Sequence, residues 1–429
     1  MNKNKFKQLG LSEQLSKNLE KIGITEPTEI QEKTIPLTLK GKDVIGGSAT
    51  GSGKTLAFSA NIIENIQDKK PQEIQALILT PTRELAEQIL NSIKSFSQGF
   101  PVKVSTIYGG VDIEKQFRNI PKSNIIVGTP GRILDHLNRK TLNLSKIKYL
   151  VLDEVDRMFE MGFQEDVEKI LYCCPKPKER QNLLFSATIS SEVGYLSEKH
   201  SNNPIEISVQ SHVDPAKLKQ VYYDVPSSRK FPLLVHLLKN ESADLVMVFC
   251  NTRRNVDFVT QNLKLNNINA TAIHGGLTQN KRKNVLSDFH KGQTNVLVCT
   301  DVAARGLDIK NVSHVYNYDM SPNSKEYTHR IGRTARAGEE GIAINLISSR
   351  DYENFREVID NPKLKKVIKR RDCPYIPRAK MKIPSRNNKG DNRNRGRFNK
   401  SNNKFGQRHK RNFQKKNSQK NFKSKKRNF

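Results

Sequence analysis

The sequence contains no apolar run near the 18 residues that a membrane-spanning helix needs. Its basic start, Met1 to Gly10, is followed by no apolar stretch, so a secretory leader is not expected. Cysteine is scarce. Cys173, Cys174, Cys250, Cys299 and Cys373 lack metal-ligand spacing, and Cys250 and Cys299 end apolar runs where a small buried thiol is the usual occupant. These absences argue against a membrane span and a cysteine metal site, and a reduced, cytoplasmic protein is expected. Acidic charge is nearly missing from one region: residues 361–429 carry 2 Asp against 26 Lys and Arg, whereas the first 360 hold 41 acidic against 48 basic residues. The net charge of +31 is therefore mostly a property of the C-terminal part. A polycation of this density needs a polyanionic partner, nucleic acid before an anionic membrane surface.

At 429 residues the chain is long enough for two or more domains, each with its own core. The stretch that organises it is Ser48-Ala49-Thr50-Gly51-Ser52-Gly53-Lys54-Thr55, between the apolar pair Val44-Ile45 and the helical pattern opening with Leu56-Ala57-Phe58. Gly51 and Gly53 allow successive N–H groups to point inward, and a helix starting near Lys54 adds its positive dipole end. This is a polyphosphate cradle. Lys54 is the point charge for β and γ phosphates, and the Thr55 hydroxyl is a magnesium ligand by type and position. Ser48 stands where the strict pattern has glycine, a mild departure.

Upstream, Pro27 and Thr28 suit a helix start and Gln31 lies one turn later. A glutamine amide carries both a donor and an acceptor, as reading an adenine edge requires. Downstream, apolar runs 76–79, 125–127, 149–152 and 182–185 alternate with amphipathic helical patterns, which predicts a parallel sheet with helices on both faces. Ligands of such sheets sit beyond the carboxyl ends of the strands. The residues that follow the runs are therefore the functional candidates: Pro81-Thr82-Arg83-Glu84, Thr129-Pro130-Gly131-Arg132, Asp153-Glu154-Val155-Asp156 and Ser186-Ala187-Thr188. Asp153 can hold the magnesium of a bound nucleotide, and Glu154 can orient or deprotonate the attacking water.

This set, in this order, resembles the DEAD-box family of ATP-dependent RNA helicases, in its bacterial RhlE-like branch. The acidic motif reads Asp-Glu-Val-Asp instead of Asp-Glu-Ala-Asp, which adds two methyl carbons and alters no charge. The resemblance covers roughly residues 6 to 350 and implies two tandem RecA-like α/β lobes. Lobe 1 is expected over 1–207, a polar linker over 208–218, lobe 2 over 219–361 without a phosphate loop of its own, and a basic tail over 362–429. In lobe 2, runs at 245–249, 295–298, 312–316 and 342–347 lead into Cys250-Asn251-Thr252-Arg253, Thr300-Asp301 and His329-Arg330-Ile331-Gly332-Arg333-Thr334-Ala335-Arg336. Between the first two of these lies His274-Gly275-Gly276, with Gln279 and Arg282 in helical register.

By resemblance, Arg333 and Arg336 are arginine fingers on the γ phosphate and Asp308 meets the ribose. Ile24 stands where the family commonly has an aromatic that stacks on adenine. The nucleotide-binding set is then Gln31, Ile24, Thr50, Gly51, Ser52, Gly53, Lys54, Thr55 and Asp308, with ATP and magnesium as cofactors. Ser186, Thr188 and His329 couple the lobes. Thr82, Arg83, Gly110, Thr129, Arg132, Arg253 and Thr300 line RNA through phosphate and ribose, contacts that position without reading sequence.

The tail is rich in Asn, Lys, Arg, Gln and Ser and poor in aliphatic residues after Ile383, so disorder is expected. Phe398, Phe405, Phe413, Phe422 and Phe429 recur among the cations and can stack on bases. The expected activity is local unwinding of RNA duplexes or displacement of bound protein, by a monomer with no membrane role. Ribosomal or RNA-decay proteins are further partner classes. A non-enzymatic RNA chaperone and a DNA helicase are the competing readings; the intact Lys54, Asp153, Glu154, Arg333 and Arg336 oppose the first.

Overall fold

A computed structural model describes residues 5–47, 51–68, 73–209, 218–304, 307, 309, 312–334 and 341–382. Thr50, Asp308 and Arg336, most of the expected linker, and residues 383–429 lie outside the described residues.

The first seven strands are β1 (Val44–Gly47), β2 (Ala76–Leu79), β3 (Val104–Ile107), β4 (Ile125–Gly128), β5 (Tyr149–Asp153), β6 (Gln181–Ser186) and β7 (Ile205–Ser208). They pair in parallel, in the order β3-β4-β2-β5-β6-β1-β7. Seven more follow: β8 (Lys219–Asp224), β9 (Leu245–Phe249), β10 (Ala270–Ile273), β11 (Val296–Cys299), β12 (Val312–Asn317), β13 (Ile342–Ile347) and β14 (Ile368–Arg370). Their order is β10-β11-β9-β12-β13-β8-β14, again all parallel. Subtracting seven from each number reproduces the first order, so one topology occurs twice. The chain is a tandem of two RecA-like lobes, as the sequence leads one to expect.

Both faces of each sheet are covered, so the central strands are continuous apolar runs and not alternating ones. Every residue of β1, β2, β4 and β6 is buried. Lobe 1 has a core on each side of its sheet, one built around Phe58, Ile78 and Phe185 and the other around Leu79, Leu152 and Met158. Lobe 2 repeats the arrangement with clusters around Phe231 and Val248 and around Phe249 and Phe289.

The lobes differ at the strand that should carry phosphate. After β1 the chain turns through Gly51 and Gly53 into the helix Lys54–Asn65. After β8 the equivalent turn is Val225-Pro226, which leads into the helix Ser227–Asn240 with no glycine. Within that helix Lys230 is buried against Asp351 at 2.6 Å. The cation in lobe 2 is thus neutralised internally, and lobe 1 alone retains a phosphate loop among the described residues.

One boundary differs from the sequence reading. Residues 362–382, assigned to the tail, are packed on lobe 2: a helix spans Pro362–Val367, β14 pairs with β8, and Ile376 is buried in the lobe's core. The basic composition masked these few apolar anchors. No described helix is long and apolar enough to cross a membrane.

Candidate ATP and RNA site

The nucleotide side is built on three turns at the carboxyl edge of the first sheet. Gly53 caps the helix Lys54–Asn65 with φ +92°. A Cβ built there would collide with Gln31 Nε2 and Thr28 Oγ1, so conformation and space both require glycine. The collision partners hold the loop. Thr28, the N-cap of the helix Glu29–Leu39, donates from Oγ1 to the Ser52 carbonyl at 2.8 Å, and Gln31 Nε2 donates to the Gly53 carbonyl at 3.0 Å. Gln31 Oε1 in turn accepts from Thr28 N at 3.0 Å. Gln31 is 4% exposed and is first a brace for the phosphate loop, a role the sequence did not reveal. A primary amide has two hydrogens and two lone pairs, so one of each remains for an adenine edge. Ile24 is half-buried on the same core.

Lys54 is buried, and its Nζ lies 3.8 Å from Oδ1 of Asp153, the last residue of β5. That buried oxygen has no hydrogen-bond partner among the described residues. Burial, partly offset by Lys54, pushes the Asp153 carboxyl up to about 6. An orphaned carboxylate oxygen beside the phosphate lysine, together with half-buried Thr55 next to that lysine in the chain, is a donor set of the hard-oxygen kind that suits magnesium.

Glu154 adopts φ 54°, ψ 52°, a left-handed conformation that costs a non-glycine residue of order 1 kcal/mol and occurs preferentially at functional sites. The bend ends β5 and starts the helix Val155–Glu160. Glu154 Oε2 accepts from Arg157 Nη1 at 3.0 Å. Burial alone would raise the Glu154 carboxyl, but Arg157, Lys54 and Arg333 overcome it and hold the group below its ordinary value. Arg333 belongs to lobe 2, where its Nη1 donates to the Leu307 carbonyl at 2.6 Å. The Arg333 charge is felt at Glu154, so this lobe 2 guanidinium lies within electrostatic range of the lobe 1 carboxylate.

Asp156 binds the expected coupling residues. Its Oδ2 accepts from Thr188 N at 3.1 Å and from Thr188 Oγ1 at 3.0 Å, while Ser186 Oγ donates to the Thr188 carbonyl at 2.7 Å. Burial, with Arg157 nearby, pushes His329 down to about 4, and Asp156 and Glu160 also act on it. His329 of lobe 2 therefore faces the acidic turn as a neutral imidazole. Lys325 pairs with Glu160 across the same boundary.

The RNA candidates form a matching pair of devices. In lobe 1, Arg83 lies against Gly110, where φ is +79° and a Cβ would strike the guanidinium. Arg132 donates from Nη1 to the Val111 carbonyl at 3.4 Å, flanking the same turn. In lobe 2, exposed Arg253 lies over Gly275, its Nη2 being 3.0 Å from where a Cβ would stand. Thr82 caps the helix Arg83–Phe96 by accepting from Leu85 N, and Thr129 opens the helix Pro130–Asn138. The Thr300 carbonyl accepts from Ala303 and Ala304 N.

Arg330 carries weight that sequence reasoning did not assign. It is 1% exposed and donates to both carboxylate oxygens of Asp301 at 2.6 and 2.7 Å, to Asn317 Oδ1, to the Asp319 carbonyl and to Asn251 Oδ1, over the ring of Phe249. It thereby ties the segment bearing Arg333 to the turns bearing Thr300 and Arg253. The available signal was the spacing of three in Arg330, Arg333 and Arg336, the pattern of one helical face, of which the helix Ser324–Ile331 includes only Arg330.

Comparison with known proteins agrees with this site. The DEAD/DEAH box helicase family model matches residues 28–195 and the helicase conserved C-terminal domain model matches residues 229–338. The chain is 46% identical over 361 residues to the ATP-dependent RNA helicase CshA of Listeria monocytogenes, covering 84% of this chain and 69% of that protein. It is 43% identical over 376 residues to the DEAD-box ATP-dependent RNA helicase CshA of Bacillus cereus, covering 87% and 71%. Among solved structures, S. cerevisiae Dbp5 bound to RNA and ADP BeF3 superposes with a TM-score of 0.76 at 30% identity, covering 86% of this chain and 95% of that one.

Proposed function

Because the chain belongs to the DEAD-box family of ATP-dependent RNA helicases, we propose that its two lobes close on ATP and RNA together and use hydrolysis to reopen. The protein is an RNA-dependent ATPase and RNA helicase. The observation that carries the residue-level reading is the buried Lys54–Asp153 pair at 3.8 Å, with an Asp153 oxygen left without a partner among the described residues and Glu154 beside it held ionised by Arg157, Lys54 and Arg333.

Gln31 reads the adenine while bracing the phosphate loop, and Ile24 gives the base an aliphatic contact. Gly51, Ser52 and Gly53 present backbone N–H groups, with Thr50 completing the loop, and Lys54 neutralises β and γ phosphate charge. Magnesium, held by Thr55 and by Asp153, would neutralise phosphate charge further. Glu154, kept ionised by its cationic neighbours, orients the attacking water and accepts its proton as the new bond to the γ phosphorus forms and the bond to the bridging oxygen breaks. Arg333, with Arg336, stabilises charge on the transferring phosphoryl group, and Asp308 holds the ribose. Arg83, Arg132 and Arg253, with Thr82, Gly110, Thr129 and Thr300, grip an RNA strand by phosphate and ribose, so recognition is independent of sequence.

Residues 383–429 carry 17 Lys and Arg against a single Asp, and this tail raises RNA affinity without entering the chemistry. The five thiols of the chain, all before the tail, are free, which fits a cytoplasmic, reducing setting, and the working unit is a monomer. Unwinding of a short RNA duplex with ATP, with no nucleotide, and with ATP and the Lys54→Ala variant tests the reading. Strand separation should require both ATP and Lys54. Separation by the variant at the wild-type rate would favour a passive chaperone.

A further inference from the structure

The last described segment is strapped to lobe 2 by a pair of asparagines. Asn262 and Asn266 stand one turn apart at the end of the helix Arg253–Leu265, 1% and 8% exposed. Asn266 accepts from Lys380 N at 3.0 Å through Oδ1 and donates to the Lys380 carbonyl at 2.8 Å through Nδ2. Asn262 repeats this with Lys382, accepting at 2.6 Å and donating at 3.4 Å. Each side chain amide thus answers both backbone groups of one residue, and the residues answered are alternate ones, as in an extended strand. Upstream, β14 pairs with β8, Arg371 N donates to the Tyr222 carbonyl, and Ile376 and Ala379 pack on the core.

The direction of the strap matters. Lys380 lies at Asn266 and Lys382 at Asn262, so the chain runs back along the helix toward its first residue, Arg253. Asn262 and Arg253 are separated by nine residues, about 14 Å of helix at 1.5 Å per residue. About five residues of extended chain cover that distance. Ile376 and β14 hold the segment upstream, and the two asparagines extend that hold to Lys382, the last described residue.

We infer that the Asn262/Asn266 clamp is an anchor that fixes where the basic tail departs from lobe 2, and so raises the effective concentration of its cations at RNA held by Arg253. The inference rests on the RNA-binding reading of the tail. Tethering turns the second contact into an intramolecular one whose strength is set by the free chain between the sites. Releasing the clamp adds only the last few residues, from about Lys380 to Lys382, to that free chain, and dilutes the tail at the RNA.

The test compares a full-length Asn262→Ala/Asn266→Ala double variant with full-length wild type, and the same pair of chains ending at Lys382, which spans one compact unit. Half-saturating concentrations of a single-stranded RNA are read from RNA-stimulated ATP hydrolysis. The double variant should need about threefold or more RNA in the full-length chain, with an unchanged maximal rate, and no extra RNA in the shortened chain. Lys382→Pro, which removes one clamped N–H without touching the helix, should move the same way. If shortening weakens RNA binding but neither clamp variant does, or if the double variant weakens the shortened chain equally, the anchor is refuted while the tail reading stands. If shortening itself changes nothing, the tail reading and the anchor fall together.

Discussion

Arg282 of lobe 2 donates from Nε to Oε1 of Glu84 of lobe 1 at 2.8 Å, with both side chains about nine-tenths buried. Gln279 reaches the same oxygen at 3.3 Å, and Arg282 also touches the His274 and Ala303 carbonyls. Glu84 follows Thr82 and Arg83, and Ala303 follows Thr300. This ion pair therefore joins the turns that we propose face RNA in the two lobes.

Breaking it should uncouple closure from RNA. Removing one member of a buried pair leaves the other charge unpaired, a cost of about 3 kcal/mol or more. Glu84→Ala should raise half-saturating RNA by tenfold or more in an ATPase titration while leaving RNA-free ATP binding at wild-type strength. An unchanged RNA titration would remove Arg282 from the closing mechanism.

Glu154→Gln keeps the shape and the Lys54 and Asp153 pair but loses the base. Turnover should fall about a hundredfold or more, within the range of a general base. ATP and RNA binding should persist, so the variant stalls on RNA. Hydrolysis at the wild-type rate would assign the proton to another group.

Gln31→Ala removes the Gly53 brace and the adenine contact together. KM for ATP should rise about tenfold, the size of one or two hydrogen bonds. GTP, which gains only the brace from Gln31, should lose clearly less than ATP. Equal losses for both nucleotides would leave Gln31 as a brace alone.

His200, 6% exposed, is pushed down to about 4 by burial, with Arg180 and Lys199 adding to the effect. Its folded value lies below the ordinary 6.5, so the unfolded chain binds the proton first and stability falls as pH drops from 6.5 toward 4. Each pH unit in that window costs up to roughly 1 kcal/mol for this group. Thermal unfolding at pH 7 and pH 5 should show a smaller drop for His200→Gln than for wild type; parallel drops would exclude His200 as the cause.

The sequence announced the central strands of both sheets because burial on both faces leaves no room for polar residues, as in Leu77-Ile78-Leu79. It concealed the edges. β3 reads Val-Ser-Thr-Ile and is mostly half-buried, and β7 reads Ile-Glu-Ile-Ser with only Ile207 buried, so neither forms an apolar run. β8, Lys-Gln-Val-Tyr-Tyr-Asp, was hidden by its polar ends. The grouping of Lys54 with Asp153 and Glu154 was legible because a loop suited to phosphate and a strand end suited to a metal fix residue type and spacing. Arg330 and the Glu84 to Arg282 pair were not, since their roles come from contacts 11 to 198 residues apart.

The folded end of lobe 2 sets where the tail can be removed. A chain ending at residue 361 loses β14 and Ile376, whose burial alone is worth about 2 kcal/mol, and should unfold at lower temperature. A chain ending at Lys382 should keep full ATP hydrolysis at saturating RNA. If about ten tail cations meet phosphates, its slope of log affinity against log salt should flatten by roughly 7 on single strands. Equal slopes with and without residues 383–429 would leave the tail no part in RNA binding.

Joint closure on ATP and RNA is tested most directly by ATP hydrolysis of the full-length protein with single-stranded RNA, with single-stranded DNA of the same sequence, and with neither. The account predicts slow hydrolysis alone and with DNA, and a rate at least tenfold higher with RNA. Hydrolysis that is equally fast without nucleic acid, or that DNA stimulates as well as RNA, would contradict it.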